Sequence, residues 1–228
     1  MGHYSLAQTL FTISVVAIPM IVAITLHEAA HGWVASKLGD PTAKMLGRVS
    51  FNPLRHVDPF GTIALPLIML FTTHILFGWA KPVPVNFSRL HHPRRDMVLV
   101  AAAGPATNLL LALLSGYLMY VALVIPGTAG EWAFANLQYS IVINVLLAVF
   151  NMIPLPPLDG GRVAVGLLPR PLSIRLAGLE RYGLLILLGI IFILPLFHIN
   201  VLGWLLSGPV AFFTGPIQSL TGIELRNL

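Results

Sequence analysis

Between Ser5 and Ala35 the chain reads SLAQTLFTISVVAIPMIVAITLHEAAHGWVA. No Lys, Arg or Asp interrupts it, and Glu28 is its sole acidic residue. A helical span needs about 20 apolar residues, so this run can cross a bilayer with some tilt. Inside it, His27-Glu28-Ala29-Ala30-His31 is an HExxH pattern. At about 100° per residue His27 and His31 share one helix face, where two imidazoles can chelate one metal. Glu28 stands beside them as a carboxylate able to take a proton from a water at that metal. An ionisable group in a membrane span costs a few kcal/mol and marks function by default. The plainer reading, a helix end at the interface with three ordinary polar residues, is the weaker one.

Composition agrees. Of 228 residues 57% are hydrophobic and 9% charged, with a mean hydropathy of +0.86. A soluble globular protein carries roughly 25% charged residues, so a soluble domain is excluded, and disorder with it. The net charge of +5 does not call for nucleic acid. No run of five Lys or Arg occurs, and membrane proteins collect these residues in cytoplasmic loops. With no cysteine, disulfides and thiolate ligands are excluded, and any metal is held by His, Asp or Glu. The N-terminal MGHYSLAQTL has no basic residue before the apolar run, so a retained helix is expected rather than a secretory signal.

Further apolar segments run from Phe60 to Trp79, Met97 to Ile125, Ala133 to Ile153, Tyr182 to Phe197 and Val201 to Phe213. The expected fold is an all-α membrane protein, a polytopic helical bundle of about five or six membrane segments. A short re-entrant or β-hairpin region is expected after the first helix, because Gly47 to Pro53 alternates polar and apolar residues. No internal repeat occurs, and one domain is expected over residues 1–228.

A zinc hydrolase needs a third protein ligand, with water or substrate in the fourth position. The metzincin continuation fails, since Val34 and Lys37 occupy its Gly and His positions. The other acidic residues are Glu131, Glu180, Glu224, Asp40, Asp58, Asp96 and Asp159. Asp159 is a good candidate. It follows Pro154, Pro156 and Pro157 at the end of a membrane helix, and broken backbone at membrane depth is tolerated only inside protein or along a cavity.

HEAAH in one membrane helix and NMIPLPPLDGGR in a later one resemble the site-2 protease family of intramembrane zinc metalloproteases. NPLRHVDPFGT, GWAKPVPVN and AAAGPATN are similar to its compact members, so the resemblance covers about residues 20–165. It implies one Zn2+ held by His27, His31 and Asp159, Glu28 as catalytic base, and Asn151 as the Asn that helps bind substrate backbone or the oxyanion. Many members add a PDZ or a CBS domain; neither is expected here. The implied activity is endopeptidase cleavage in or near transmembrane segments, with single-pass membrane proteins as partners and the lipid bilayer around them.

The charges bear on orientation. Lys and Arg fall in three loops: Lys37, Lys44, Arg48 and Arg55; Lys81, Arg89, Arg94 and Arg95; Arg162, Arg170, Arg175 and Arg181, with Arg226 beyond. If Phe60–Trp79 crossed fully, His31 and Asp159 would lie at opposite faces of the bilayer. If it dips and returns, five segments cross and all 13 basic residues share one side, the cytoplasmic one. The expectation is therefore a cytoplasm-facing site, about 33 Å of helix rise past Ser5, and an extracytoplasmic N-terminus. An unwound substrate could pair with a strand edge in residues 47–58.

Other residues carry less. His56 reads as a turn support, His91 and His92 as interfacial, and Asn108 and Asn144 as interhelical hydrogen-bond partners. Gly104-Pro105-Ala106 reads as a close-packing site. A membrane protease with a Glu third ligand, a metal-binding transporter and an inactive relative are the competing functions. The intact Glu28 argues against the last, and the absence of a two-half repeat against the transporter.

Overall fold

The computed structural model describes residues 6–64 and 78–221. It is helical, and no strand occurs among the described residues. The long helices are α1 (Leu6–Lys37), α2 (Pro93–Leu123) and α3 (Gly127–Asn151). Short helices α4 (Asp159–Leu167) and α5 (Arg170–Ala177) follow. Then come α6 (Glu180–Leu196), which bends 57° from α5, and α7 (Val201–Thr221). Among the described residues three helices, α1 to α3, are long and apolar enough to cross a membrane; the bent α5–α6 pair makes a fourth if it is one span.

The three long helices pack on one another with their polarity turned inward. On α1 the residues at four-residue intervals, Val15, Pro19, Ala23, His27, His31 and Ala35, are buried. Leu10, Ile13, Ile18, Ile21 and Val22 are exposed. On α2 the buried face holds Gly104, Asn108, Ala112, Ser115 and Gly116, and on α3 it holds Asn144 and Ala148. Small residues let helix backbones approach closely, and polar side chains bond across the seam, as expected where lipid rather than water is the solvent. Ala112, Met119, Ile141, Val145 and Val149 fill the core further along, closed by Ile217 of α7.

Among the described residues between α1 and α2 no β-hairpin occurs. Residues 53–56 form a 3-10 turn, started by the Asn52 side chain accepting the Leu54 N–H at 3.0 Å. Pro53 has no N–H for a ladder, and the His56 ring holds the turn closed through the Ser50 carbonyl at 3.0 Å. The strand edge expected in residues 47–58 is therefore absent. An irregular strap, residues 78–86, crosses the end of the bundle instead. Its Lys81 N–H bonds the His56 carbonyl at 2.9 Å. The Lys81 carbonyl accepts from the buried Arg48 guanidinium at 2.8 Å. The Asn86 N–H bonds the Asp40 carboxylate at 2.6 Å. Burial would push the Asp40 carboxyl up, but the Thr42 hydroxyl and the Asn86 and Thr42 N–H groups outweigh it and hold it below its usual range.

The re-entrant segment expected over Phe60–Trp79 lies, for residues 65–77, outside the described residues. Its two ends are described, and they meet. The Trp79 N–H bonds the Gly61 carbonyl at 3.0 Å, the Thr62 hydroxyl donates to the Trp79 carbonyl at 2.9 Å, and the Phe60 and Trp79 rings lie 5.9 Å apart.

Candidate metal centre

His27 and His31 sit one turn apart on the buried face of α1. The α2 backbone passes directly behind them. A Cβ built on Gly104 would lie 2.5 Å from both Nε2 atoms, so only a residue without a side chain leaves that space open. Asp159 arrives from α4. The chain leaves α3 at Asn151 and doubles back through the proline-dense turn. Gly160 permits the tight return, since a Cβ there would meet the Met152 carbonyl oxygen at 2.2 Å. Asp159 is then the first residue of α4, where the helix dipole favours a carboxylate.

The three side chains converge. The two Nε2 atoms are 3.0 Å apart, and Asp159 Oδ2 is 3.1 Å from His27 Nε2 and 3.3 Å from His31 Nε2. Each imidazole spends its Nδ1–H elsewhere: His31 donates to the Val100 carbonyl at 2.7 Å, and His27 to Asn108 Oδ1 at 2.5 Å. In the neutral rings both Nε2 atoms then present lone pairs, and the buried Asp159 Oδ2 has no hydrogen-bond donor. Three electron-pair donors facing one point suit a bound cation. Zinc with ligands at 2.0–2.2 Å in a tetrahedron sets them about 3.3–3.6 Å apart, close to what is found. Among the described residues this is the one group of three or more His, Asp or Glu placed to hold an ion.

Glu28 lies beside the group, half-buried, and its Oε2 accepts the Val83 N–H of the strap at 2.7 Å. Between two prolines, Val83 is the one residue of Pro82-Val83-Pro84 with an N–H to give. A cavity of about 420 Å³ opens here, lined among others by Glu28, Trp79, Val83, Phe150, Asn151 and Arg162. Asn151 is thus at the site, with its side-chain N–H turned back to the Leu147 carbonyl at 3.0 Å. Arg162 is one turn beyond Asp159, its guanidinium 5.4 Å from the Phe87 ring centre and 3.8 Å from Glu180.

The remaining acidic residues have other employment. Asp40 ties the strap, Asp58 accepts the Phe60 and Gly61 N–H groups, and Asp96 accepts the His92 N–H. Glu131 and Glu180 are exposed and outside the cluster, and Glu224 lies outside the described residues. From sequence Asn108 reads as an interhelical hydrogen-bond partner and Gly104 as a packing residue; in the structure both lie against the imidazole pair. A polar residue in the AAAGPATN stretch was the available signal for Asn108, but nothing local ties it to a histidine 81 residues earlier.

The chain is similar to known metalloproteases. The sequence model of peptidase family M50 matches residues 15–131 and 124–194. The chain is 41% identical over 184 residues to "Putative zinc metalloprotease YwhC" of Bacillus subtilis, covering 78% of this chain and 80% of that protein. It is 30% identical over 141 residues to "Putative zinc metalloprotease Rip2" of Mycolicibacterium smegmatis, 61% of this chain and 52% of that protein. To "Putative zinc metalloprotease MJ0611" of Methanocaldococcus jannaschii it is 33% identical over 99 residues, 42% of this chain and 49% of that protein. No solved structure matches the chain significantly.

Proposed function

The chain belongs to peptidase family M50, the site-2 protease family, and from that premise we propose that it is an intramembrane zinc endopeptidase cutting single-pass membrane proteins in or near their spans. The observation that carries the reading is the convergence of His27, His31 and Asp159 beside Glu28 within apolar helices. His27 and His31 Nε2 and Asp159 Oδ2 would hold the metal, which when bound would supply Lewis acidity to a scissile carbonyl and lower the pKa of a water. Glu28 takes the proton of the attacking water through one carboxylate oxygen and passes it to the leaving amine. Its other oxygen stays on the Val83 N–H, which fixes the carboxylate's orientation. Asn151 faces the same cavity, where its amide serves substrate backbone or the oxyanion once released from Leu147. Cleavage of membrane-anchored regulators is the expected biological setting.

The test is purified protein in lipid vesicles with a single-pass substrate, the cut site read by mass spectrometry. Cuts are expected inside or at the edge of the span, lost on chelation and restored by zinc. Chelator-insensitive cleavage, or cuts confined to soluble portions of the substrate, would refute the proposal.

The active site opens, on this reading, toward the cytoplasm. The bonded ends of the 60–79 segment support a return to the side it left: Gly61 and Trp79 touch, and the intervening chain is too short to cross about 30 Å of hydrocarbon twice as helix. Single cysteines at Met45 and Arg89 are expected to react from the same, cytoplasmic, side of intact cells. Labelling from opposite sides would defeat this topology.

A further inference from the structure

We propose that Asn108 is a positioning residue for the metal centre, which locks His27 in the Nδ1-protonated tautomer through a directional chain of buried amides. The inference rests on the metal-site reading above.

The direction of the chain follows from its ends. Asn144 Nδ2 lies 2.8 Å from the Ser140 carbonyl, which can only accept. Asn144 Oδ1 is therefore the atom facing Asn108, and it accepts from Asn108 Nδ2 at 2.8 Å. The same Nδ2 lies 3.3 Å from the Ala23 carbonyl, again an acceptor only. Two carbonyls and one amide oxygen thus fix the Asn108 amide with Oδ1 toward His27. Only an Nδ1–H can meet that oxygen at 2.5 Å, so in the neutral ring that metal ligation requires, Nε2 is the lone pair facing His31 and Asp159.

The two imidazoles are held by different means. His31 is oriented by the Val100 carbonyl, a backbone group that no substitution removes. His27 depends on a side chain, and that side chain is fully buried, as is Asn144 beneath it. Ser140 and Ser115 continue the network, their hydroxyls 2.8 Å apart, so it joins α1, α2 and α3. A buried amide with every strong hydrogen-bonding site committed has one orientation available. Partners of this kind fix ring orientation and basicity of a metal-binding histidine, and their loss typically weakens metal binding about 10- to 100-fold.

The experiment is equilibrium Co2+ binding to the purified full chain, by chelator competition and by the visible d–d absorption of the bound ion. Asn108→Leu keeps the volume and removes the acceptor; a 10- to 100-fold weaker affinity and an altered absorption band are expected. Asn144→Leu leaves the acceptor in place and is expected to cost less than tenfold. Wild-type affinity and spectrum in Asn108→Leu, or a larger loss in Asn144→Leu than in Asn108→Leu, would overturn the proposal. Should Asn108→Leu not fold, Asn108→Ala decides: it removes the acceptor without adding bulk, so a 10- to 100-fold loss of affinity supports the proposal and wild-type affinity refutes it. Failure of the wild-type chain to bind one Co2+ would sink the metal-site reading instead.

Discussion

Glu28→Gln is expected to slow cleavage by about 10²- to 10⁴-fold while the protein keeps one zinc per chain. The range is what a positioned acid–base group contributes. The substitution isolates that contribution because glutamine preserves the rest of the environment. The Glu28 side chain makes one described hydrogen bond, from the Val83 N–H to Oε2 at 2.7 Å, and the glutamine amide oxygen accepts the same bond. The strap therefore stays anchored, by Arg48 and His56 as well. Neither imidazole bonds Glu28; their Nδ1–H groups go to Asn108 and Val100. What is lost is the capacity to hold a proton, since an amide does not ionise in the working range. Zinc content by elemental analysis, run beside the vesicle cleavage assay, checks both halves. Cleavage within tenfold of wild type would remove Glu28 from its role.

Gly104→Ala is expected to reduce metal affinity by more than 100-fold and cleavage with it. Nothing about the backbone predicts this: within a helix alanine is favoured over glycine by about 1 kcal/mol. The effect is steric and local. The added methyl carbon would stand 2.5 Å from both Nε2 atoms and 2.6 Å from His27 Cε1, well inside van der Waals contact. The imidazoles are held from behind by Asn108 and by the Val100 carbonyl. They retreat only by breaking those bonds and losing their common aim with Asp159. Gly208→Ala is the matched control, since a Cβ there meets nothing within 4 Å; it is expected to bind metal as the wild type does. Titration of both variants with Zn2+ against a chelator of known affinity reads the difference directly. Equal affinity in the two would show that α2 does not confine the imidazole pair.

Both predictions depend on residues that differ in how visible they are in the chain. HEAAH is legible because its chemistry is local: four residues make about one helical turn, so the two proposed ligands and the proposed base are placed by helix geometry alone. Asp159 is legible for another reason, a carboxylate beside broken backbone where an apolar environment demands a purpose. Gly104 and Asn108 carry no such signal. A glycine and an asparagine in a membrane helix are explained well by close packing and interhelical bonding, and only the crossing of α1 by α2 turns them toward His27. Val83 was hidden more completely, because its contribution is a backbone N–H. The alternation in residues 47–53 misled, because Pro53 and the Asn52 cap close a 3-10 turn where a hairpin was expected.

By itself, then, the sequence determined the solvent, the helical class and the chemical elements of the centre. The sparse charge, long apolar runs and two motifs are properties of composition and of neighbours along the chain. The tertiary structure decided which groups face one another: two imidazole Nε2 atoms and a carboxylate meet at one point, the strap holds Glu28, and the ends of the 60–79 segment touch. These depend on contacts between residues tens of positions apart, and no local propensity or periodicity encodes a distance of that kind.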